Sequence, residues 1–124
     1  ARDGLSCERW NLLHPEDEPR TCYLQQQLAD AQGGPIIAAT DYIKPYTNQL
    51  SPFMPRRFLA LGTDGYGRSD TRAKLRSFFE VDRYHVTVAA LKSLADDGAI
   101  AASVVAGALK KFGIKSNRPD PAFN

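Results

Sequence analysis

At 124 residues and 13.7 kDa, the chain has room for one domain with a modest core. Its composition, 43% hydrophobic and 24% charged, is that of an ordinary globular protein, and a net charge of +2 with scattered basic residues argues against a nucleic-acid binder. With no apolar run approaching the roughly 18 residues of a membrane span, and no leader pattern, the expectation is a soluble, cytoplasmic protein without membrane contact.

Ala1-Arg2-Asp3-Gly4 reads as the interior of a longer chain, so the sequence is expected to be a piece cut from one. Residues 5–15 are mixed: Leu5, Trp10, Leu12 and Leu13 are apolar, and His14-Pro15 stops any helix. Glu16-Asp17-Glu18-Pro19 reads as an exposed acidic linker. A helix is expected from about Pro19 to Gln32, with Cys22, Leu24, Leu28 and Ala31 as a narrow apolar stripe and Gly33-Gly34 as its end. Cys7 and Cys22 are the only cysteines and have no metal-site spacing, so two reduced, partly buried thiols are expected.

The run Pro35-Ile36-Ile37-Ala38-Ala39-Thr40 has the pattern of a strand buried on both faces, as in a parallel sheet. A short helix from about Lys44 to Leu50, closed by Ser51-Pro52, leads to a second such strand at Arg57-Phe58-Leu59-Ala60-Leu61. Strand, helix and strand of these lengths make a βαβ crossover. The second strand runs into a loop from Gly62 to Asp70 with glycines at 62, 65 and 67.

Three helices follow. Ser69 or Asp70 caps the first, which ends near Phe79. Asp82 caps the second, whose apolar residues cover two faces (Val86, Ala89, Ala90 and Leu94; Val88, Leu91 and Ala95), so deep burial is expected before Asp97-Gly98 stops it. The third runs from about Ile100 to Phe112, with Lys110 and Lys111 complementing the dipole of its last turn and Gly113 ending it. The tail beyond Ile114 is expected to be loose.

Two buried-type strands cannot by themselves occupy so many helices. The expected fold is therefore α/β and three-layer: a partial, doubly wound, mostly parallel sheet whose first strand or strands lie outside this chain. The chain divides into a lead-in and helix (1–34), the crossover (35–62), the glycine-rich loop (63–70), helices (71–113) and a tail (114–124).

A glycine-rich loop after a buried strand lies where open α/β sheets bind ligands. Its spacing is neither the dinucleotide fingerprint nor a P-loop, so turn geometry and close packing explain the glycines better than an anion does. Arg68 and Arg72 remain free to pair with an acidic partner across an interface. Gly67-Arg68-Ser69-Asp70-Thr71 fails as a nucleophile elbow at its last position, which makes Ser69 a cap residue. His14 and His85 have no recognisable partner at useful spacing and read as satisfied structural histidines, while Asp41 suits either a functional carboxylate or a turn. No catalytic, cofactor-binding or metal-ligating residue is assigned in this chain.

Leu61-Gly62-Thr63-Asp64-Gly65-Tyr66-Gly67-Arg68-Ser69-Asp70-Thr71-Arg72 closely resembles a loop of the homodimeric, thiamine-diphosphate-dependent bacterial pyruvate dehydrogenases. Phe78-Phe79-Glu80-Val81-Asp82, Val88-Ala89-Ala90-Leu91, Gly34 to Tyr42 and Cys7 to Pro15 are similar to further segments of that family. The resemblance implies the transketolase-type C-terminal domain of an enzyme that decarboxylates pyruvate on thiamine diphosphate with Mg2+. That enzyme reductively acetylates the lipoyl groups of a dihydrolipoyl acetyltransferase. It also implies that cofactor and metal are bound by domains absent here, and that the expected partners are those domains, a second copy and the acetyltransferase. The role left to this piece is dimer packing and active-site support, without activity alone. Gly62, Thr63, Asp64, Gly65, Tyr66, Gly67, Arg68, Ser69 and Asp70 are then the residues expected to face the active site or an interface. The competing expectation is an autonomous α/β module binding a small anion at that loop.

Overall fold

In the computed structural model, which describes residues 1–29, 33–64 and 70–123, the two apolar runs pair as parallel strands, β1 (Ile36–Ala39) and β2 (Phe58–Leu61). Ile36 stands opposite Phe58 and Ala39 opposite Leu61. Bonds from Ile36 N–H to the Arg57 carbonyl (2.8 Å) and from Thr40 N–H to the Leu61 carbonyl (2.9 Å) extend the ladder at both ends. The crossover carries a helix, Lys44–Asn48, with a 3-10 turn at Ser51–Phe53. The expected βαβ unit and α/β class are present.

The opening segment differs from expectation. Arg2–Leu13, whose mixed apolar pattern named no element, forms a twelve-residue helix, α1. Its arginines, leucines and Glu8 are good helix formers, and Pro15 stops it by forcing His14 out of helical geometry (φ −131°, ψ 64°). Gly4 lets α1 approach the crossover: a Cβ there would lie 2.5 Å from the ring of Phe53, itself buried. The next helix, α2 (Tyr23–Ala29), starts later than Pro19 because side chains of α1 hold the residues before it. Asn11 exchanges two hydrogen bonds with the Arg20 backbone (2.7 and 2.9 Å), and Asp3 accepts from the Tyr23 N–H (2.8 Å). The expected end of that helix, residues 30–32, lies outside the described residues.

With the crossover helix as α3, the remaining helices are α4 (Arg72–Phe78), α5 (Arg83–Asp96) and α6 (Ala102–Lys111). The cap of α4 is Thr71, whose Oγ1 accepts from Lys74 N–H at 3.4 Å; Asp70 instead accepts from the Thr71 N–H (2.7 Å). Asp82 caps α5 as expected, accepting from the His85 N–H at 3.0 Å. All three helices close in the same way, with a residue in the left-handed region and two bonds back to the last turn. Gly98 (φ 77°) and Gly113 (φ 68°) do this for α5 and α6, but α4 uses Glu80 (φ 60°). There Val81 N–H reaches the Arg76 carbonyl (2.9 Å) and Glu80 N–H the Ser77 carbonyl (3.2 Å).

Two further expectations are corrected. Helix α5 packs on the sheet and α6 but buries only Ala89 and Ser93; its valines, leucines and other alanines are half-buried, and Tyr84 is exposed. The tail is docked rather than loose. Arg118 donates to the Ser77 and Phe78 carbonyls (2.8 Å each) in the last turn of α4, and Pro121 in a final 3-10 turn (Pro121–Phe123) is buried. The chain exposes 8871 Å², whereas a compact protein of this mass exposes about 6,600 Å². The excess includes Leu12, Tyr42, Tyr46 and Phe123, all more than half exposed.

Candidate functional site

The loop after β2 begins at the carboxyl end of the sheet, and its first three residues are bonded into the loop that follows β1. Gly62 is buried against backbone: an added Cβ would meet the Tyr42 carbonyl oxygen at 2.6 Å and the Lys44 nitrogen at 2.7 Å. Thr63 donates its N–H to the Tyr42 carbonyl (2.9 Å) and its hydroxyl to the Asp41 carbonyl (2.6 Å). Asp64 then accepts from the Lys44 N–H (2.9 Å), and its second oxygen lies 3.7 Å from Lys44 Nζ. Helix α3 has no cap of its own, since Ile43 occupies that position; Asp64 supplies the missing acceptor from 20 residues away. Three consecutive residues thus join the two βα loops. Close packing is the reason for glycine at 62.

The remaining sequence-derived candidates divide. Asp70 is exposed at the start of α4, and Arg72 is exposed in its first turn. Gly65, Tyr66, Gly67, Arg68 and Ser69 lie outside the described residues. Asp41 serves the loop through its carbonyl, and its exposed carboxylate stands 3.7 Å from Arg76. His14 is structural: its ring stacks on Trp10 (centroids 4.2 Å apart, planes at 9°), and Nδ1 contacts the Trp10 carbonyl at 2.8 Å. The Arg20 guanidinium covers Trp10 at 3.9 Å from the ring centroid. Both cysteines are free, as expected. Burial, helped by the charges of Asp3 and Cys22 against that of Arg20, pushes the Cys7 thiol up, which makes it a poor nucleophile at neutral pH.

His85 departs from expectation, for it does have a partner. Its Nδ1 lies 2.6 Å from Asp82 Oδ1 across one helical turn. Burial works against the Asp82 charge, but the His85 N–H, the His85 ring and the Tyr84 N–H outweigh it and hold this carboxyl below the usual range. An ionised carboxylate only accepts, so Nδ1 carries the proton and Nε2 is the free nitrogen. That Nε2 is buried and without a hydrogen-bond partner. The signal was legible as an N-cap aspartate three residues before a histidine, which places both on one helix face.

Two hollows adjoin these groups. A cavity of about 290 Å³ lies over the loop root, lined by Lys44, Gly62 and Asp64 on one side and by Glu80, Lys115 and Arg118 on the other. A larger one, about 930 Å³, opens between α4, the start of α5, the end of α6 and the tail, and His85 is in its wall. Among the described residues, no group of three His, Cys, Asp or Glu could hold a metal ion.

Comparison with known proteins gives consistent matches. A family model described as the transketolase-like TK C-terminal domain matches residues 4–82. The pyruvate dehydrogenase E1 component of Cupriavidus necator is 56% identical over 121 residues, which is 98% of this chain and 13% of that protein. The E1 components of Pseudomonas aeruginosa (50% over 121 residues; 97% and 14%) and Escherichia coli strain K12 (48% over 122 residues; 98% and 13%) are similar to it in the same way. The chain thus spans about one-seventh to one-eighth of the length of these curated relatives.

Proposed function

Since this chain belongs to the transketolase-like TK C-terminal domain family, we propose that it is the C-terminal part of a pyruvate dehydrogenase E1 component. The parent enzyme would decarboxylate pyruvate on thiamine diphosphate with Mg2+, and reductively acetylate lipoyl groups of a dihydrolipoyl acetyltransferase in the cytoplasm. The described residues of this chain offer Mg2+ no ligand set. No metal-ligating cluster is present among them, and Asp64, the carboxylate at the end of β2, is already spent on Lys44. We assign both groups to other parts of the parent polypeptide, and no chemical step to this one.

The role left to this part is support. It would pack against further protein and hold the 62–70 loop toward the active-site region or the dimer interface. The bolted loop root carries this reading: Gly62, Thr63 and Asp64 fix where the loop leaves the sheet, whatever it then touches. The large exposed surface supports the packing half of the role. For an anion-binding loop the described part offers little, because it presents the Asp64 carboxylate and turns Gly62 onto backbone.

The test has two arms. Titrated calorimetrically with thiamine diphosphate, the 124-residue chain should give no stoichiometric binding that requires Mg2+; a saturable one-to-one isotherm lost when Mg2+ is withheld would overturn the assignment. In the full-length dimer, Asp64→Ala should lower both turnover and the dimer's melting temperature. If both stayed at wild-type values, the supporting role would be lost.

A further inference from the structure

The larger cavity combines features that do not arise from packing alone. Four of its lining residues are cations (Arg76 from α4, Arg83 from α5, and Lys115 and Arg118 from the tail), against a single carboxylate, Asp82. That carboxylate is occupied: it takes the His85 N–H and stands 2.6 Å from the His85 ring. Arg83 donates to the Tyr84 hydroxyl (2.8 Å), and Arg118 is fixed by two carbonyls of α4, so both guanidinium groups are held in place without a bound anion. Lys115 is exposed and has no ion pair among the described residues. One wall is apolar, built by Val81, Ile114 and the adjoining rings of Tyr84 and Phe112, whose centroids are 5.1 Å apart. Buried polar atoms are satisfied almost everywhere in proteins, and a specific exception asks for an explanation; the one in this wall is His85 Nε2. A volume of about 930 Å³ falls in the range of small-molecule sites.

We propose that this cavity binds a small organic anion, its carbon body on Tyr84, Phe112 and Ile114 and its charged end toward Lys115, Arg83 and His85 Nε2, which takes up a proton as the anion binds and so becomes a donor to it. Phosphate esters and carboxylates share the chemistry the site recognises. Wall and cations together predict that neither a bare anion nor a neutral aromatic suffices. The cavity shares Lys115 and Arg118 with the smaller one over the loop root, but the proposal does not rest on the role given to the loop.

The experiment is calorimetric titration of the full-length holoenzyme, its thiamine site filled, with phenyl phosphate and with phenylacetate as probes. At least one should bind, and the tighter of the two names the anion class. Inorganic phosphate and benzyl alcohol should each bind at least tenfold more weakly. Lys115→Ala, an exposed change that leaves the fold intact, should weaken the better probe at least tenfold. His85→Leu should do the same, with His85→Gln recovering part of the loss through its amide. Absence of binding by both probes at millimolar concentration, equal binding of benzyl alcohol, or affinities unmoved by Lys115→Ala and His85→Leu would each overturn the proposal.

Discussion

The loop root at the end of β2 and the larger cavity, between α4 and the start of α5, are built from similar material, polar side chains beside helix ends, yet they are finished differently. At the root, Thr63 and Asp64 spend their hydrogen bonds on Asp41, Tyr42 and Lys44. In the cavity wall, His85 spends one nitrogen on Asp82 and leaves the other buried without a partner. Saturated polar groups fix geometry, whereas an unsaturated one costs stability unless something binds it. The contrast separates a structural use of polar residues from a recognition use within one small chain.

The harshest way to break the comparison is Gly62→Ala. The new Cβ would meet backbone on two sides, which cannot rotate away as a side chain can, and the loss should reach about 3 kcal/mol. Chemical denaturation of the full-length protein measures it, and an unchanged midpoint would mean that the root is not locked. Next, Asp82→Ala removes the α5 cap and the His85 partner, for about 1–2 kcal/mol. Asp82→Asn keeps a capping oxygen and should lose less.

The same carboxyl gives a pH dependence. Because folding lowers its pKa, Asp82 stabilises the fold fully above its unfolded value, about 3.9, and that contribution is lost as pH falls through the lower folded value. Thermal melts of wild type should therefore show an acid-side decline from this group that Asp82→Asn lacks. Equal slopes for the two below about pH 4 would contradict the assignment.

Milder changes sharpen the comparison at the cavity. Arg118→Ala removes two charge-assisted bonds to the end of α4, about 1 kcal/mol net, and should expose residues beyond 114 to limited proteolysis. A tail as resistant as wild type would show that Pro121 and its neighbours hold it unaided. Smallest in size and opposite in sign, Glu80→Gly relieves a left-handed glutamate, less the extra freedom of glycine in the unfolded chain, and should gain about 0.5 kcal/mol, read as a raised melting temperature. Its ion pair with Arg118 is long, 3.9 Å, and partly exposed, so little offsets the gain.

What was legible in the sequence is what local pattern controls. Two short apolar runs named the strands, and Asp82, Gly98 and Gly113 marked helix ends, because caps and left-handed turns depend on residues within one turn. Helix α1 escaped notice because its leucines do not fall into one buried stripe; Leu5, Leu12 and Leu13 are all exposed. The docked tail and the Asp64 cap were invisible for another reason. Arg118 reaches carbonyls about 40 residues back, and Asp64 reaches 20, distances over which composition and periodicity carry no information. At the candidate site, glycine 62 was readable as close packing, but the targets of Thr63 and Asp64 were not.

The bolted root also bears on how such a loop can change over evolutionary time. Because residues 62–64 are held by bonds to the neighbouring loop, the point of departure does not depend on what comes after it. Substitutions or insertions beyond Asp64 can then alter reach and chemistry while the scaffold beneath stays constant. A fixed mount with an exchangeable tip lets variation explore new contacts without first endangering the fold.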